Sequence, residues 1–319
     1  TSAVDRYLEL SNVKRDSLKK VSTPCIDDHL IPAEDFTTKG HLSASASKIV
    51  LKALYAARLA RPHLLWTVNA LAREVTKWTI ACDKRLHRLM SYMVHTPEHV
   101  LRSHLGDELK DCKLYMFCDA SFAGDLTDSK STSGMILCLC GPNTFCPLSG
   151  LCKKQGAVSH SSTESEIISM DAGMRMEALP ALGLWDLALE VFHPLPASTR
   201  PKRDQYPNRT RVTDAEVLSQ IDHVPTNVTT SGRGRLVILE DNDAVIKMCQ
   251  KQRSPNMRHV SRTHRVDLDW LFERISLDDA ITMTWVNTKQ QAADIFTKGS
   301  FSEATWKTLL GLIQLSPIR

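Results

Sequence analysis

Apolar residues recur at helical spacing through residues 43–95 and as short strand-like runs after residue 112, and this change of period divides the chain. In "SKIVLKALYAARLA" the set Ile49, Leu51, Leu54 and Ala57, with its neighbours, predicts a helix. Arg61-Pro62 predicts its end, because proline pushes the preceding residue out of the helical region. "LLWTVNALAREV" and "DKRLHRLMSYM" read as a second and a third helix. Beyond residue 112, "KLYMFCDA", "SGMILCLC" and "TFCPLSGLC" are β-type runs separated by Gly, Pro, Asn, Asp and Ser, the pattern of a three-stranded meander. A helix over 161–192 follows. "RLVILEDNDAVIKMC" predicts strand, acid-rich turn and helix, "RVDLDWLFERI" a helix, "ITMTWVN" a strand, and "QQAADIFTKG" a final helical segment. That order describes an α/β layer fold with a mixed sheet.

Two stretches lack such periodicity. Residues 1–40, with "STPCIDDHLIPAEDF", are polar, acidic and proline-bearing, as a linker would be. Asp27-Asp28 has no flanking apolar strand and is read as part of that linker, not as a polymerase carboxylate pair. Residues 194–233 are rich in Pro, Arg, Asp, Thr and Asn and are expected to form a long surface insertion.

Composition narrows the field only a little. The 319 residues carry a net charge of +4, which allows a nucleic-acid partner without demanding one. Nine cysteines, odd in number and without framework spacing, read as reduced thiols of an intracellular protein. The Cys138, Cys140, Cys146, Cys152 set matches no common zinc spacing. No apolar run reaches membrane-spanning length. The chain opens on "TSAVDRYLEL", without Met or a signal pattern, and is expected to be a piece of a longer polypeptide. Lys84, Arg85 and Arg88 cluster on the third helix, either as a solvated face or as contacts to a phosphate backbone.

Carboxylates sharpen the picture. Asp119 ends the first strand of the meander, Asp241 ends "LVILE", and Asp294 follows the last strand. Ligand sites in open α/β sheets form where strand ends meet. A Glu near the start of the helix at 162 completes a set of four. Singly, each acid has an ordinary role as turn former, cap or surface charge. Together, four carboxylates in one pocket repel unless cations neutralise them, and oxygen donors of this kind suit Mg²⁺ or Mn²⁺.

These motifs resemble a known family. "YMFCDASFAGDLTDSKSTSGMI", "KKQGAVSHSSTESEIISM", "EDNDAVIKM", "SRTHRVDLDWLFERI" and "AADIFTKG" are similar to the ribonuclease H domain of Ty1/copia-type retrotransposon Pol polyproteins. "AARLARPHLLWTVNALAR" and "DKRLHRLMSYMVHT" resemble the C-terminal end of the reverse transcriptase before it. The resemblance covers roughly residues 41–192 and 234–300. It implies a ribonuclease H-like α/β fold, a five-stranded mixed sheet with flanking helices, preceded by a small helical subdomain. The expected plan is linker (1–40), helical thumb- or connection-like part (41–110), ribonuclease H-like domain (111–300) with the insertion 194–233, and C-terminal tail (301–319).

The resemblance further implies Mg²⁺-dependent cleavage, with two ions and Mn²⁺ as a substitute, of the RNA strand of an RNA–DNA hybrid, inside a cell and beside the rest of the polyprotein. Asp119, Asp241 and Asp294 fall on the family's first, third and last acids. For the Glu, Glu164 and Glu166 point about 200° apart on a helix, so only one can face the metals. Ser161 and Glu164 form a capping-box pattern, and "EIISM" after Glu166 matches the apolar run expected after the catalytic residue. Glu166 is therefore chosen. Lys84, Arg85, Arg88, Ser162, Asn242 and Arg262 are the expected nucleic-acid contacts. The pattern departs from the family at Ile167, where an aromatic is usual, and at His264-Arg265, where Lys-His is one step out of register. His259 and His264 read as helix-surface or phosphate-contacting residues. Three other readings compete with this one: a decayed copy that only binds nucleic acid, a DNA strand transferase of Asp, Asp, Glu order, and a structural connection module. The polymerase palm is absent from this chain.

Overall fold

The structure, a computed structural model, describes residues 2–124, 128–194 and 232–317. The insertion expected at 194–233 lies outside the described residues apart from its edges, Pro194, Gly232 and Arg233. The centre of the fold is a five-stranded mixed sheet. Strands β2 (Lys113–Ser121), β3 (Thr132–Gly141) and β4 (Thr144–Lys154) form the antiparallel meander, and β5 (Leu236–Glu240) and β6 (Ile281–Trp285) join in parallel. The order across the sheet is β4-β3-β2-β5-β6. Parallel neighbours need crossover connections. Helices α5 (Ser162–Gly173) and α6 (Leu179–Phe192) lie in the chain between β4 and β5; α7 (Asp243–Lys251), α8 (Val260–Thr263) and α9 (Leu268–Leu277) lie between β5 and β6.

The run "MILCLC" in β3 is apolar without interruption because both faces of the sheet are covered. Met135, Leu137 and Leu139 pack with α5, β5 and α9 residues in one core. Ile136 and Cys138, pointing the other way, pack with the helices that precede the sheet. Those helices are α1 (Ser2–Ser11), α2 (Ala46–Leu59), α3 (Leu65–Arg73) and α4 (Ile80–His95). Asn69 Nδ2 on α3 donates to the Cys152 carbonyl of β4 at 2.9 Å, tying the helical layer to the sheet.

Two expected boundaries are corrected by this packing. Residues 1–40 are no linker: Ala3, Val4 and Tyr7 of α1 are buried in the helical core, and Asp27 caps a short turn by accepting from the His29 N–H at 3.0 Å. Residues 301–319 are no free tail. Helix α11 (Glu303–Leu312), after the short α10 (Asp294–Thr297), buries Trp306 and Leu309 in that core, and β7 (Leu315–Pro317) pairs with β1 (His99–Leu101). The first piece is polar on average but places a few large apolar residues where the helices need them, a distribution composition does not disclose; the second is apolar enough to have predicted burial.

The helix expected over 161–192 is continuous but widened. Residues Met174–Ala178 form a π turn, in which the Leu179 N–H reaches the Met174 carbonyl. Pro180 follows at the start of α6. Its ring would crowd the carbonyl four residues back in a regular helix, and the wider turn relieves this.

Candidate active site

Asp119 lies near the end of the central strand β2 and is 5% exposed. Its partner across β3 is Gly134, and the parallel pairing of Phe117 with Leu239 carries Asp241 to the same end of the neighbouring strand. A Cβ on Gly134 would come within 2.3 Å of Thr297 Cγ2, so the glycine is what lets α10 lie against the strand. Through that approach the Thr297 hydroxyl donates to Asp119 Oδ2. Lys298, next in the chain, pairs with Asp294 Oδ1 and lies 3.8 Å from Asp119 Oδ2.

Glu166 enters from α5. The helix is pinned by Ser169, whose hydroxyl donates to the Asp119 carbonyl at 2.7 Å. Glu166 lies three residues earlier, on the same side of the helix, and is hydrogen-bonded to the Asn242 side chain. Its Oε2 is buried without a hydrogen-bond partner among the described residues. The structure thus brings Asp119, Glu166, Asp241 and Asp294 together from four separate elements. Gln291 sits between them, its Nε2 donating to the Cys118 carbonyl at 2.9 Å and to Asp241 Oδ1 at 3.4 Å.

The pocket holds more negative charge than it neutralises. Burial, opposed by Lys298 and reinforced by Asp294, pushes Asp119 up to about 7. Burial also pushes Glu166 up to about 7, with Asp119 and Asp241 adding repulsion. Behind them is an acid that sequence reasoning missed. Glu240, wholly buried, is pushed up to about 8 by burial and by Glu166; it accepts from the Asn242 N–H at 3.1 Å and contacts Cys118 Sγ at 3.4 Å. It was hidden as the last residue of an apolar strand. Lys298 was more legible, four residues after Asp294, a spacing at which helical side chains meet. Thr297 and Gln291 carried no signal.

Glu164 turns away from this pocket. It is 1% exposed, accepts from the His160 N–H at 3.1 Å, and has the imidazole nitrogens of His259 and His264 each at 3.2 Å. Both histidines therefore meet a buried acid; the His264 side chain is itself buried, whereas that of His259 remains 38% exposed. The capping hydrogen bond from the Glu164 N–H to Ser161 Oγ is present at 3.1 Å.

Of the expected nucleic-acid contacts, Asn242 is in the pocket, Ser162 opens α5, and Arg262 is exposed on α8. The basic cluster on α4 has a different occupation. Lys84 pairs with Asp35, Arg85 donates twice to Asp28 Oδ1 at 2.6 and 3.0 Å, and Arg88 donates to the Thr23 carbonyl and hydroxyl at 2.9 and 3.0 Å. In place of the phosphate contacts expected of them, these side chains clamp residues 23–36 onto α4. The acids of the supposed linker are their counterions. A cleft of about 1170 Å³ also lies away from the acids, with Tyr92, His95, Trp306 and Pro317 among its lining.

Among the described residues, no group of three or more His, Cys, Asp or Glu side chains could hold a metal ion as placed. The donor set nevertheless suits one: all oxygens, all able to ionise, with an orphaned Glu166 Oε2 and crowded charge that a hard cation would relieve. No helix of the described residues is long and apolar enough to cross a membrane.

No protein-family profile matches the chain, and no solved structure matches it. Curated proteins do match it, among them three from Arabidopsis thaliana. The retrovirus-related Pol polyproteins from transposons RE2 and RE1 are each 33% identical over 135 residues, 42% of this chain and 9% of the relative. An uncharacterized mitochondrial protein is 30% identical over 163 residues, 50% of this chain and 64% of that protein. The matched region is thus a small part of the polyproteins' length. The chain is homologous to the retrovirus-related Pol polyproteins of copia-like transposons.

Proposed function

We propose that this chain is a ribonuclease H-like endonuclease region of a retrotransposon Pol polyprotein, which cleaves the RNA strand of RNA–DNA hybrids with divalent metal. The observation that carries the reading is the convergence of Asp119, Glu166, Asp241 and Asp294 at one end of the central strands, with two of them pushed up to about 7 by burial and one another's charge. A purely structural module gains nothing from acids in that position, since unneutralised charge there is costly.

These four residues would hold Mg²⁺, or Mn²⁺ in its place. Bound there, divalent ions supply Lewis acidity toward the scissile phosphate and lower the pKa of a water. The chain's own residues do the positioning. Thr297 and the Gly134 contact set the Asp119 carboxylate, Ser169 sets the rotation of α5 and so of Glu166, and Gln291 joins Asp241 to β2. Asn242 steadies Glu166 from the start of α7. Ser162 and Asn242, at the N-terminal ends of α5 and α7, and Arg262 are the groups offered to the backbone phosphates. Discrimination of RNA from DNA on the cut strand rests on the 2′-hydroxyl.

The test is incubation of the full chain with labelled RNA–DNA hybrid, RNA duplex and DNA duplex, with and without Mg²⁺. Cleavage of the hybrid RNA strand alone, and only with metal, is the expected result. Binding of hybrid without cutting at any divalent concentration would favour the decayed copy.

A further inference from the structure

The cation already present among the acids is Lys298. Its ammonium pairs with Asp294 Oδ1 and lies 3.8 Å from Asp119 Oδ2, and its charge also acts on Asp241 and Glu166. We propose that Lys298 is a built-in competitor of the divalent ion: it neutralises the metal-free pocket and must swing out before the ion can bind. The inference rests on the metal-dependent reading above.

Three observations support it. A divalent ion shared by Asp119 and Asp294 sits about 2 Å from their oxygens, which puts it against the present position of the ammonium. Two cations so close, in a pocket where Asp119 is 5% exposed, repel strongly. Second, Lys298 has somewhere to go: its side chain is 41% exposed, on a flexible four-carbon stem. Third, Asp119 does not depend on Lys298 for its place, because the Thr297 hydroxyl holds Oδ2 independently. The lysine can leave without scattering the carboxylates.

Mn²⁺ binding to the full-length wild type, K298M and K298R is read from the electron paramagnetic resonance of the free aquo ion. K298M should bind Mn²⁺ about tenfold more tightly than wild type, while K298R, which keeps the charge, should stay within about threefold of wild type. Metal-free K298M should also melt below wild type and gain more from Mn²⁺. Equal or weaker binding by K298M overturns the proposal. If K298M does not fold, acylation of Lys298 in the wild type, read by mass spectrometry, replaces it: Mg²⁺ should raise the modification severalfold, and unchanged or reduced modification overturns the idea. Wild type that binds Mn²⁺ without the gain in K298M rejects the competitor alone. Absence of Mn²⁺ binding to every variant rejects it together with the metal-dependent nuclease.

Discussion

Two clusters of charge, one acidic around Asp119 and one basic on α4, are resolved by the fold in opposite ways. The basic side chains find matched partners within a few ångströms: Asp35 for Lys84, Asp28 for Arg85, Thr23 for Arg88. Lys84 and Arg85 are matched by carboxylates, and Arg88 by the neutral oxygens of Thr23. The acids gather four deep, with a fifth, Glu240, behind them, and Lys298 meets only part of their charge. A run of like charges in sequence is thus a poor guide to function until its counterions are located. Charge that the fold assembles and leaves unneutralised is a better one.

The largest break in this contrast should come from the acids themselves. Asp119→Asn or Asp241→Asn should lower Mg²⁺-dependent hybrid cleavage about a hundredfold or more, since even outer partners of a metal ligand are worth about 10–100-fold. Hybrid binding, measured by fluorescence anisotropy, should largely survive. Glu166→Gln should behave likewise. Glu164→Gln should instead cost stability, on the order of 1–3 kcal/mol, by unbalancing its buried contacts with His160, His259 and His264. If the two glutamates exchange these phenotypes, the assignment on α5 is wrong.

A smaller break is geometric. Gly134→Ala forces Thr297 off β3 and should reduce cleavage about tenfold with a stability loss of roughly 1–3 kcal/mol. A variant with unimpaired kcat would show that the Thr297–Asp119 contact does not position the acid.

Titration sharpens the contrast further. Asp119 and Glu166 bind protons more tightly folded than unfolded, with folded values of about 7. Their contribution to stability is therefore full below about pH 4 and is lost as pH rises toward 7, with Glu240 extending the loss to about 8. His63, buried and held well below its ordinary value by desolvation first, opposes this at low pH. The difference between wild type and Asp119→Asn isolates the acid. Without metal, the variant should be the more stable at pH 8 and should lose that advantage by about pH 5 in thermal melts. Added Mg²⁺ at pH 8 should stabilise wild type more than the variant.

The smallest effect belongs to the satisfied cluster. Arg85→Met breaks a partly exposed pair and should cost about 1 kcal/mol, a shift in Tm of about 2 °C. The salt dependence of hybrid affinity should not change. A flatter slope would return α4 to the nucleic-acid interface.

Strands and most helices were legible because their apolar periods differ, and the three aspartates because they fall at or just after strand ends; Glu166 needed helix geometry and the family resemblance. The role of 1–40 was not legible, since its buried apolar residues, Ala3, Val4, Tyr7, Leu18 and Ile31, are scattered through a polar stretch. The α4 clamp was invisible because Asp28 and Asp35 lie about 50 positions from their partners. Glu240 was masked by its apolar neighbours, and the His259 and His264 contacts with Glu164 join positions about 100 apart.

The alternation along β3, with Met135 and Leu137 turned to one core and Ile136 and Cys138 to the other, bears on how homologous sequences can be recombined. A chimera that joins two homologous chains at residue 110 would pair one parent's helices with the other parent's sheet. The seam would run through a packed apolar interface, where a single mismatched methylene is felt. Recombinants that survive should therefore inherit α1–α4, β3 and α11 from the same parent, and substitutions on these elements should travel as a block.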